Sequence, residues 1–555
     1  MKRLIGLIPI ALSASVFAQQ PQLGLKPPKL VLLISIDQFR ADYTERFASH
    51  YLPAKVGNKV GGFRFLMDTG ARYLDAHHNH LPTATGPGHA TLMTGSEPAI
   101  NGIIGNDWFD RKGNKPMYCV DDPSVKTIGG TSKPMSAKNL KVTTVGDELK
   151  MATEGRSKVV GISFKDRAAI LMSGHAADTV IWFDGGTGNW VSSNYYFPEQ
   201  KLPDWVQKMN QDREVDKAYG QNWEPLLPAD DYILTRRAPG EKVTSTTKPF
   251  SHNLGTGGKP NKAYFSALTT SGQGQEYLFK TVNTAIDAMG LGKQRVPDIL
   301  VMNLATNDYV GHRYGPNSPE VMDIAVRTDR LLSDLFNHLD RNLGIDNVDI
   351  VLTADHGVLP IPEESGADYR TSSTRVKNSP VTAVSAALTK AYGAGDWLLG
   401  DGLYEQNVFL NHATIASKNL NLEDVESVAA KAAMESEGVF AAFTRTQLMN
   451  NWLPQWDWTK LVLNGYHPQL GGDLMVCEAP GVLFGEGTGT SHGSAWAYDS
   501  HVPLLLRGPG ITKGVYGRRV HTADIASTLC HLLSIEYPTG NVGEPLREAL
   551  GAVQK

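Results

Sequence analysis

Cysteine is scarce in this sequence, with three among 555 residues. Three cysteines allow one disulfide at most, which excludes the small secreted folds that depend on a dense disulfide framework. An oxidising compartment would allow a bridge between Cys119 and Cys477. Cys530 lies in the apolar run Ile525–Leu533, which is typical of a buried helix face and predicts a free thiol.

The sequence also lacks an apolar run long enough to cross a membrane as a helix, for which about 20 residues are needed. The shorter run Leu4–Val16 follows two basic residues and precedes Ala18, which is the order of regions in a secretory signal peptide. We therefore expect a signal peptide over residues 1–18 and a linker over residues 19–28. The mature protein should be periplasmic or secreted, with no membrane span.

Neither sign of charge is in large excess. The sequence has 53 Lys and Arg against 57 Asp and Glu, and removal of the signal peptide's two basic residues leaves 51 against 57, a net charge of −6. Such a balance gives no reason to expect nucleic acid or an anionic membrane as a stable partner. With 41% hydrophobic and 20% charged residues the chain is typical of a globular protein. An anionic substrate would have to be attracted by local positive charge.

Short β-branched runs alternate with helical patterns, which predicts a parallel sheet covered by helices on both faces. The expected fold class is α/β, a doubly wound, mostly parallel sheet over residues 29–550. Residues 184–272 show only weak periodicity, and residues 360–485 show one clear helical pattern near Glu423–Ser436 among irregular segments. Both regions indicate insertions that could cap a site on the main sheet. A helical stripe that includes Val321 and Leu335 leaves Asp329 on the opposite face. The strand candidates are Leu30–Ile36, Lys158–Ile162, Thr179–Phe183, Asp298–Met302, Val348–Thr353 and Val502–Leu506.

Polar residues follow several of these strands, at the edge of the sheet where open α/β proteins bind ligands. Each has a plainer explanation, since an Asp after a strand is often a helix N-cap and an Asp-His-Gly sequence is often a turn. Together they supply three carboxylates and three imidazoles, which suit paired zinc ions and phosphoryl displacement. The six candidate ligands are Asp37, Asp308, His312, Asp355, His356 and His492.

A threonine segment offers a nucleophile for such a site. Within Pro82–Gly95, Thr85 precedes a Gly-Pro-Gly turn and a short helix, whose N-terminus favours an alkoxide and an incoming phosphate. A threonine hydroxyl needs activation, which a metal ion provides by lowering its pKa. Spacing alone leaves Thr83 and Thr91 as alternatives, and it leaves open that Thr85 only caps the helix.

These motifs together resemble the alkaline phosphatase superfamily. Pro82–His89 resembles the nucleophile segment shared with nucleotide pyrophosphatase/phosphodiesterases, and three later segments are similar to the metal-binding segments, in the same order: Asp308–Pro316, Ala354–Gly357 and Ser491–Gly493. The resemblance implies that Thr85 forms a phosphothreonine intermediate at a site with two Zn²⁺ ions. It further implies that one ion is held by Asp308, His312 and His492, and the other by Asp37, Asp355, His356 and Thr85.

Within the superfamily the chain is most similar to the PafA-type monomeric alkaline phosphatases of Gram-negative bacteria, through Gly161–Arg167 after a strand. By this resemblance Asn106, Lys165 and Arg167 contact phosphoryl oxygens. Two cations and an amide suit the dianion of a phosphate monoester, whereas a diester needs room for a second ester group. The plainer interpretation of Lys165 and Arg167 is a solvated pair at a strand end.

The expected function is therefore that of a secreted alkaline phosphatase, a monomer that hydrolyses small-molecule phosphate monoesters with broad leaving-group tolerance and releases inorganic phosphate. Two alternatives stay open. One is a phosphodiesterase or nucleotide pyrophosphatase on the same zinc core. The other is a zinc- and phosphate-binding protein without turnover.

Overall fold

The computed structural model describes residues 27–232, 250–369 and 371–550. The expected signal peptide, most of the expected linker and part of the first expected insertion lie outside these ranges. Within them, no helix combines the length and the apolar character that crossing a bilayer requires.

A ten-stranded sheet forms the centre of the fold. Its strands are β1 (Leu30–Ser35), β2 (Ala71–His77), β3 (Thr127–Ile128), β4 (Val159–Ser163), β5 (Thr179–Asp184), β6 (Asn189–Ser193), β7 (Asp298–Asn303), β8 (Val348–Thr353), β9 (His501–Arg507) and β10 (Gly514–His521). They lie in the order β10-β2-β9-β8-β1-β7-β4-β5-β6-β3. The five neighbours from β8 to β5 are parallel, whereas β9 is antiparallel to β8 and β2. The predicted mostly parallel α/β sheet is confirmed, and all six predicted strands are present.

The central strand β1 is buried on both faces. Leu32 and Ile34 pack into one hydrophobic cluster, and Val31 and Leu33 pack into another, because successive side chains of a strand point to opposite faces. Two-sided burial explains why this strand is a continuous apolar run rather than an alternating one.

Helices cover both faces of the sheet and build the connections. The α-helices are Tyr43–Arg46, Phe63–Thr69, Thr85–Thr94, Pro98–Asn101, Val145–Ala152, Asp166–Ser173, Asp204–Asp212, Lys262–Thr269, Gly272–Met289, Thr306–Tyr314, Pro319–Leu343, Pro362–Tyr369, Pro380–Tyr392, His412–Ser417, Leu422–Met434, Arg445–Met449, Asp457–Gly465, Ala497–Ser500 and Asp524–Leu533. Short 3₁₀ helices lie at Ala48–His50, Glu214–Ala218, Ala229–Tyr232 and Ile345–Asn347.

The helical pattern predicted the wrong environment for Asp329. It was expected on the outer face of the helix Pro319–Leu343, but it is wholly buried. Its carboxylate accepts hydrogen bonds from the backbone N–H groups of Leu52 (2.7 Å) and Phe63 (2.8 Å). A buried carboxylate needs such partners, and helical periodicity cannot reveal partners that come from a distant segment.

The helix predicted near Glu423–Ser436 is present as Leu422–Met434, but the rest of the region 360–485 holds more regular structure than was expected. Two of its helices, Pro380–Tyr392 and Leu422–Met434, share a hydrophobic cluster with strands of a second, antiparallel sheet. The strands of that sheet lie in the order Leu398–Tyr404, Asn407–Leu410, Leu474–Glu478 and Val439–Thr444. Further strand pairs are Lys55–Val56 with Lys59–Val60, Asp107–Asp110 with Lys115–Tyr118, Asn222–Trp223 with His252–Asn253, and Thr374–Val376 with Val482–Phe484.

All three cysteines are free and buried. Cys119 and Cys477 lie in different hydrophobic clusters, so the disulfide that the sequence allowed is not formed. Cys530 is fully buried on the helix Asp524–Leu533, as its apolar surroundings predicted.

Candidate active site

The six candidate metal ligands meet at one edge of the main sheet. They follow β1 (Asp37), β7 (Asp308 and His312) and β8 (Asp355 and His356), or precede β9 (His492). Because β1, β7 and β8 are parallel neighbours, their carboxyl ends lie side by side. The order of the strands therefore gathers ligands that are far apart in the sequence.

The ligand atoms form two overlapping groups. In each group three atoms lie within 4.8 Å of one another, and the groups are Asp37 with Asp355 and His356, and Asp308 with His356 and His492. His312 joins the second group, since its Nε2 lies 3.1 Å from Asp308 Oδ1. Zinc prefers such mixed nitrogen and oxygen donors, so these residues fit the ion that the resemblance implied.

The three histidines are each held through Nδ1. The Nδ1 atoms of His312, His356 and His492 lie 2.8, 2.9 and 2.8 Å from the carbonyl oxygens of Thr490, Gly357 and Thr83. A carbonyl oxygen only accepts, so Nδ1 carries a proton in each ring, and Nε2 is the ring atom that is left to bind a metal ion. These contacts fix the rotation of the rings.

Burial controls the charges of this centre. It lowers the pKa of His492 to about 3 and that of His356 well below its ordinary value, so both rings are neutral, as metal binding requires. Burial also raises the pKa of Asp37 to about 6, against the opposing charge of Lys165. At Asp308 burial acts in the same direction, but His312 and Lys165 hold the pKa well below its usual range.

Thr85 begins the helix Thr85–Thr94 and is buried beside the ligands. Its Oγ1 lies 3.3 Å from both Lys165 Nζ and Arg167 Nη2, and 3.4 Å from His356 Nε2. The N-cap residue of the helix is Ala84 rather than Thr85. Helix capping therefore does not account for this hydroxyl, which faces two cations instead.

The two alternative threonines are engaged elsewhere. Thr83 Oγ1 donates to the carbonyl oxygen of Ser494 at 2.6 Å, and Thr91 Oγ1 donates to that of Ser96 at 3.0 Å. Of the three hydroxyls, that of Thr85 is the one at the cations and the ligand groups, so the geometry favours Thr85 as the nucleophile.

Lys165 and Arg167 both turn towards Thr85. Lys165 is 4% exposed, and its ammonium group also donates to Asp37 Oδ1 (2.9 Å) and Asp308 Oδ2 (2.6 Å), one carboxylate from each ligand group. Arg167 is half-buried. The interpretation of these residues as a solvated pair is therefore wrong.

Asn106 lies beside the N-terminus of the helix Thr85–Thr94, although it belongs to a later segment of the chain. Its Oδ1 accepts a hydrogen bond from the backbone N–H of Gly86 at 2.8 Å, which leaves the Nδ2 group as the donor for a substrate. The backbone N–H of Asn106 donates to Glu405 Oε1 at 3.1 Å. Glu405 belongs to the region 360–485, so this region contributes directly to the site.

Two supporting residues were missed by the sequence analysis. Gln38 links the ligand groups, because its Nε2 donates to Asp308 Oδ1 at 2.8 Å and its backbone N–H donates to Asp355 Oδ1 at 3.2 Å. Its φ of 60° is in the left-handed region, which is uncommon for a residue with a side chain. Its position directly after Asp37 is the signal that could have identified it.

Tyr118 is the second supporting residue that the sequence analysis missed. Its hydroxyl accepts a hydrogen bond from Arg167 Nη1 at 3.1 Å and donates to Asp166 Oδ1 at 2.5 Å. The guanidinium group is thereby held in its orientation toward Thr85. No local pattern in the sequence connects Tyr118 with Arg167.

Known proteins resemble this chain over nearly its whole length. A family model described as type I phosphodiesterase / nucleotide pyrophosphatase matches residues 31–496. Three curated relatives are each 34% identical: a protein named calcium-transporting ATPase from Myroides odoratus (95% of each chain), alkaline phosphatase PafA from Elizabethkingia meningoseptica (94% of this chain and 95% of PafA) and alkaline phosphatase PhoV from Synechococcus elongatus (97% of each chain). The crystal structure of wild-type PafA superposes with a TM-score of 0.84 at 33% identity, covering 95% of this chain and 100% of that one.

Proposed function

The chain belongs to the type I phosphodiesterase / nucleotide pyrophosphatase family, and we propose that within this family it is an alkaline phosphatase, as PafA and PhoV are named. The resemblance to the alkaline phosphatase superfamily that the motifs predicted is confirmed by this membership and by the PafA fold. The proposed reaction is hydrolysis of phosphate monoesters with release of inorganic phosphate.

The pair of cations at Thr85 is the observation that supports a monoesterase most strongly. Lys165 Nζ and Arg167 Nη2 each lie 3.3 Å from Thr85 Oγ1. The phosphoryl group of a monoester carries one more negative charge on its non-bridging oxygens than that of a diester. Two buried cations at the point of attack therefore favour the monoester.

In this proposal Thr85 Oγ1 loses its proton and attacks phosphorus, the bond from phosphorus to the ester oxygen breaks, and the alcohol leaves with a proton. Water then hydrolyses the resulting phosphothreonine to inorganic phosphate and restores the Thr85 hydroxyl. Lys165, Arg167 and the Nδ2 group of Asn106 bind the non-bridging oxygens and orient the phosphoryl group for in-line attack. The low accessibility of Thr85 keeps bulk water away from the alkoxide.

The proposal includes two zinc ions. Asp308, His312 and His492 would hold one, and Asp37, Asp355, His356 and Thr85 would hold the other. When bound, such a pair lowers the pKa of the attacking hydroxyl and neutralises charge on the leaving oxygen. The mixed donors and the three imidazoles oriented through Nδ1 support this assignment.

We also propose that the protein is exported to the periplasm or the medium. The support is the signal-peptide pattern of residues 1–18, with its apolar run Leu4–Val16. N-terminal sequencing of the protein from fractionated cells should find Gln19 first, and protein in the cytoplasm with Leu4–Val16 retained would contradict export.

The test compares kcat/KM for 4-nitrophenyl phosphate and its methyl diester, with ATP as a third substrate because one relative is named an ATPase. We expect the monoester to be preferred, and preference for the diester would instead establish the phosphodiesterase alternative. Thr85→Ala should abolish hydrolysis, whereas Thr91→Ala, in the same helix, should not. Hydrolysis that survives Thr85→Ala would refute the nucleophile. Zinc and phosphate binding by the intact protein without any turnover would favour the binding-protein alternative.

A further inference from the structure

A cavity of about 210 Å³ lies beside the proposed phosphoryl site. His492, a candidate metal ligand, forms part of its wall, and so does Glu405, which accepts the hydrogen bond from the backbone N–H of Asn106. Three carboxylic acids and two aromatic rings are among the lining side chains: Glu405, Glu478, Asp499, Phe484 and Tyr498.

Two deeply buried side chains of this wall have an oxygen atom without a hydrogen-bond partner in the described part of the chain. They are Asp499, 1% exposed, with Oδ1 unpaired, and Gln406, 4% exposed, with Oε1 unpaired. Glu478 Oε2 also lacks a partner among the described residues. A buried acceptor without a partner destabilises the fold, so the wall is suited to a ligand that brings positive charge or hydrogen-bond donors.

The charge of the wall also favours a positively charged ligand. The described residues that line it include no Lys or Arg. Burial raises the pKa of Asp499 to about 7 and raises the pKa values of Glu405 and Glu478 above their ordinary range. The cations that oppose this shift are Arg40 at Asp499 and Arg167 at Glu405, and neither of them lines the cavity. An acidic wall next to the site of a dianion repels an anionic leaving group and attracts a cationic one.

The arrangement suits an organic cation better than a metal ion. None of the three acids belongs to a described group of three ligand atoms within 4.8 Å, although a metal ion needs its donors gathered at bonding distance. The acids are instead distributed around a space of about 210 Å³. Ammonium groups bind among carboxylates and aromatic rings in this way.

The cavity also lies on the expected side of the reaction. In an in-line displacement the leaving oxygen is opposite Thr85, at the ligand group of Asp308, His312 and His492. His492 belongs to that group and to the cavity wall. A substituent on the leaving oxygen would therefore lie on the side of the site that faces the cavity.

We propose that this cavity binds the cationic end of the leaving group, so that the enzyme prefers phosphate monoesters of amino alcohols, such as ethanolamine and choline, over neutral esters of the same size. This inference rests on the proposed phosphatase function, and it assigns Glu478 and Asp499 as residues that determine specificity.

The test compares kcat/KM for phosphocholine and for 3,3-dimethylbutyl phosphate, which has carbon in place of nitrogen, at about pH 9, which lies above the pKa of about 7 of Asp499. Wild-type protein should prefer phosphocholine by about tenfold, the size of a cation–π or ion-pair contribution at a partly desolvated site. Asp499→Asn and Glu478→Gln should each reduce this ratio toward one. Glu437→Gln, which removes an exposed acid, should leave the ratio unchanged.

Hydrolysis of both esters by the wild-type protein without preference for phosphocholine would overturn the inference and leave the proposed function standing. A ratio that neither acid variant changes would overturn the inference in the same way. Failure to hydrolyse either ester would overturn the proposed function itself. Because the wild-type ratio is decisive alone, the test remains valid even if one variant fails to fold.

Discussion

Replacing Arg167 with alanine tests how the site recognises the charge of the phosphoryl group without removing a contact to the candidate metal ligands. Its guanidinium group has Thr85 and Tyr118 as partners, whereas Lys165 also binds two candidate metal ligands. A charge-assisted hydrogen bond contributes about 1.5–3 kcal/mol, and about 1.4 kcal/mol is a factor of ten. We therefore expect kcat/KM for 4-nitrophenyl phosphate to fall by roughly 10- to 100-fold. The methyl diester, with one charge fewer, should lose no more than about threefold.

Tyr118→Phe is the matched control for this experiment. It keeps the ring but removes the hydroxyl that accepts from Arg167 Nη1 at 3.1 Å. Because the guanidinium group remains and only its orientation is loosened, we expect a smaller loss of about three- to tenfold, again selective for the monoester. Steady-state kinetics on both esters should be accompanied by zinc analysis of each variant. Equal losses on both esters in Arg167→Ala, with full zinc content, would refute the assignment of Arg167 to dianion recognition.

Two further predictions concern Gln38 and Asp349. Gln38→Gly tolerates the φ of 60° but removes the amide from Asp308, so zinc affinity should fall by roughly 10-fold in competition with a chromophoric chelator; unchanged affinity would contradict a positioning role. Asp349 is 1% exposed, neither of its carboxylate oxygens has a partner among the described residues, and burial raises its pKa well above the ordinary value. An acid whose pKa is higher in the folded than in the unfolded state lowers the free energy of unfolding as the pH rises above the unfolded pKa of about 3.9. This loss is complete above the folded pKa and is absent below the unfolded pKa. Asp349→Asn should therefore raise the free energy of unfolding in urea by about 1–3 kcal/mol at high pH but little near pH 4, and equal gains at both pH values would contradict this reasoning.

Local pattern was sufficient for the main sheet and for the convergence of the ligands. A strand such as β1, buried on both faces, is a long apolar run, and parallel strands bring their carboxyl ends to one edge. The second sheet could not be predicted in this way. Asn407–Leu410 is four residues long with every residue buried, so it shows neither alternation nor sufficient length.

The contacts that support the site also could not be predicted from the sequence. His312, His356 and His492 are oriented by backbone carbonyls, which carry no side-chain identity that a sequence could display. Glu405 reaches Asn106 from the region 360–485. Such contacts depend on how separate parts of the chain pack, and motif spacing describes only residues within one segment.

The balance of charges in the site predicts that its affinity for phosphate depends on bound metal ions. The carboxylates of Asp37, Asp308 and Asp355 outnumber the cations of Lys165 and Arg167 by one, so the side chains alone would repel a dianion. Burial raises the pKa values of Asp37 and Asp355, so nearby cations would favour the ionised forms that metal binding requires. Two divalent ions would change one net negative charge into three net positive charges and attract phosphate to a protein whose formal net charge is −4. Inorganic phosphate should therefore bind zinc-loaded Thr85→Ala at least about 100-fold more tightly than the same variant stripped of metal, measured by calorimetry. Equal affinities would show that Lys165 and Arg167 bind phosphate without the metal ions, and the electrostatic argument for the two-zinc site would fail.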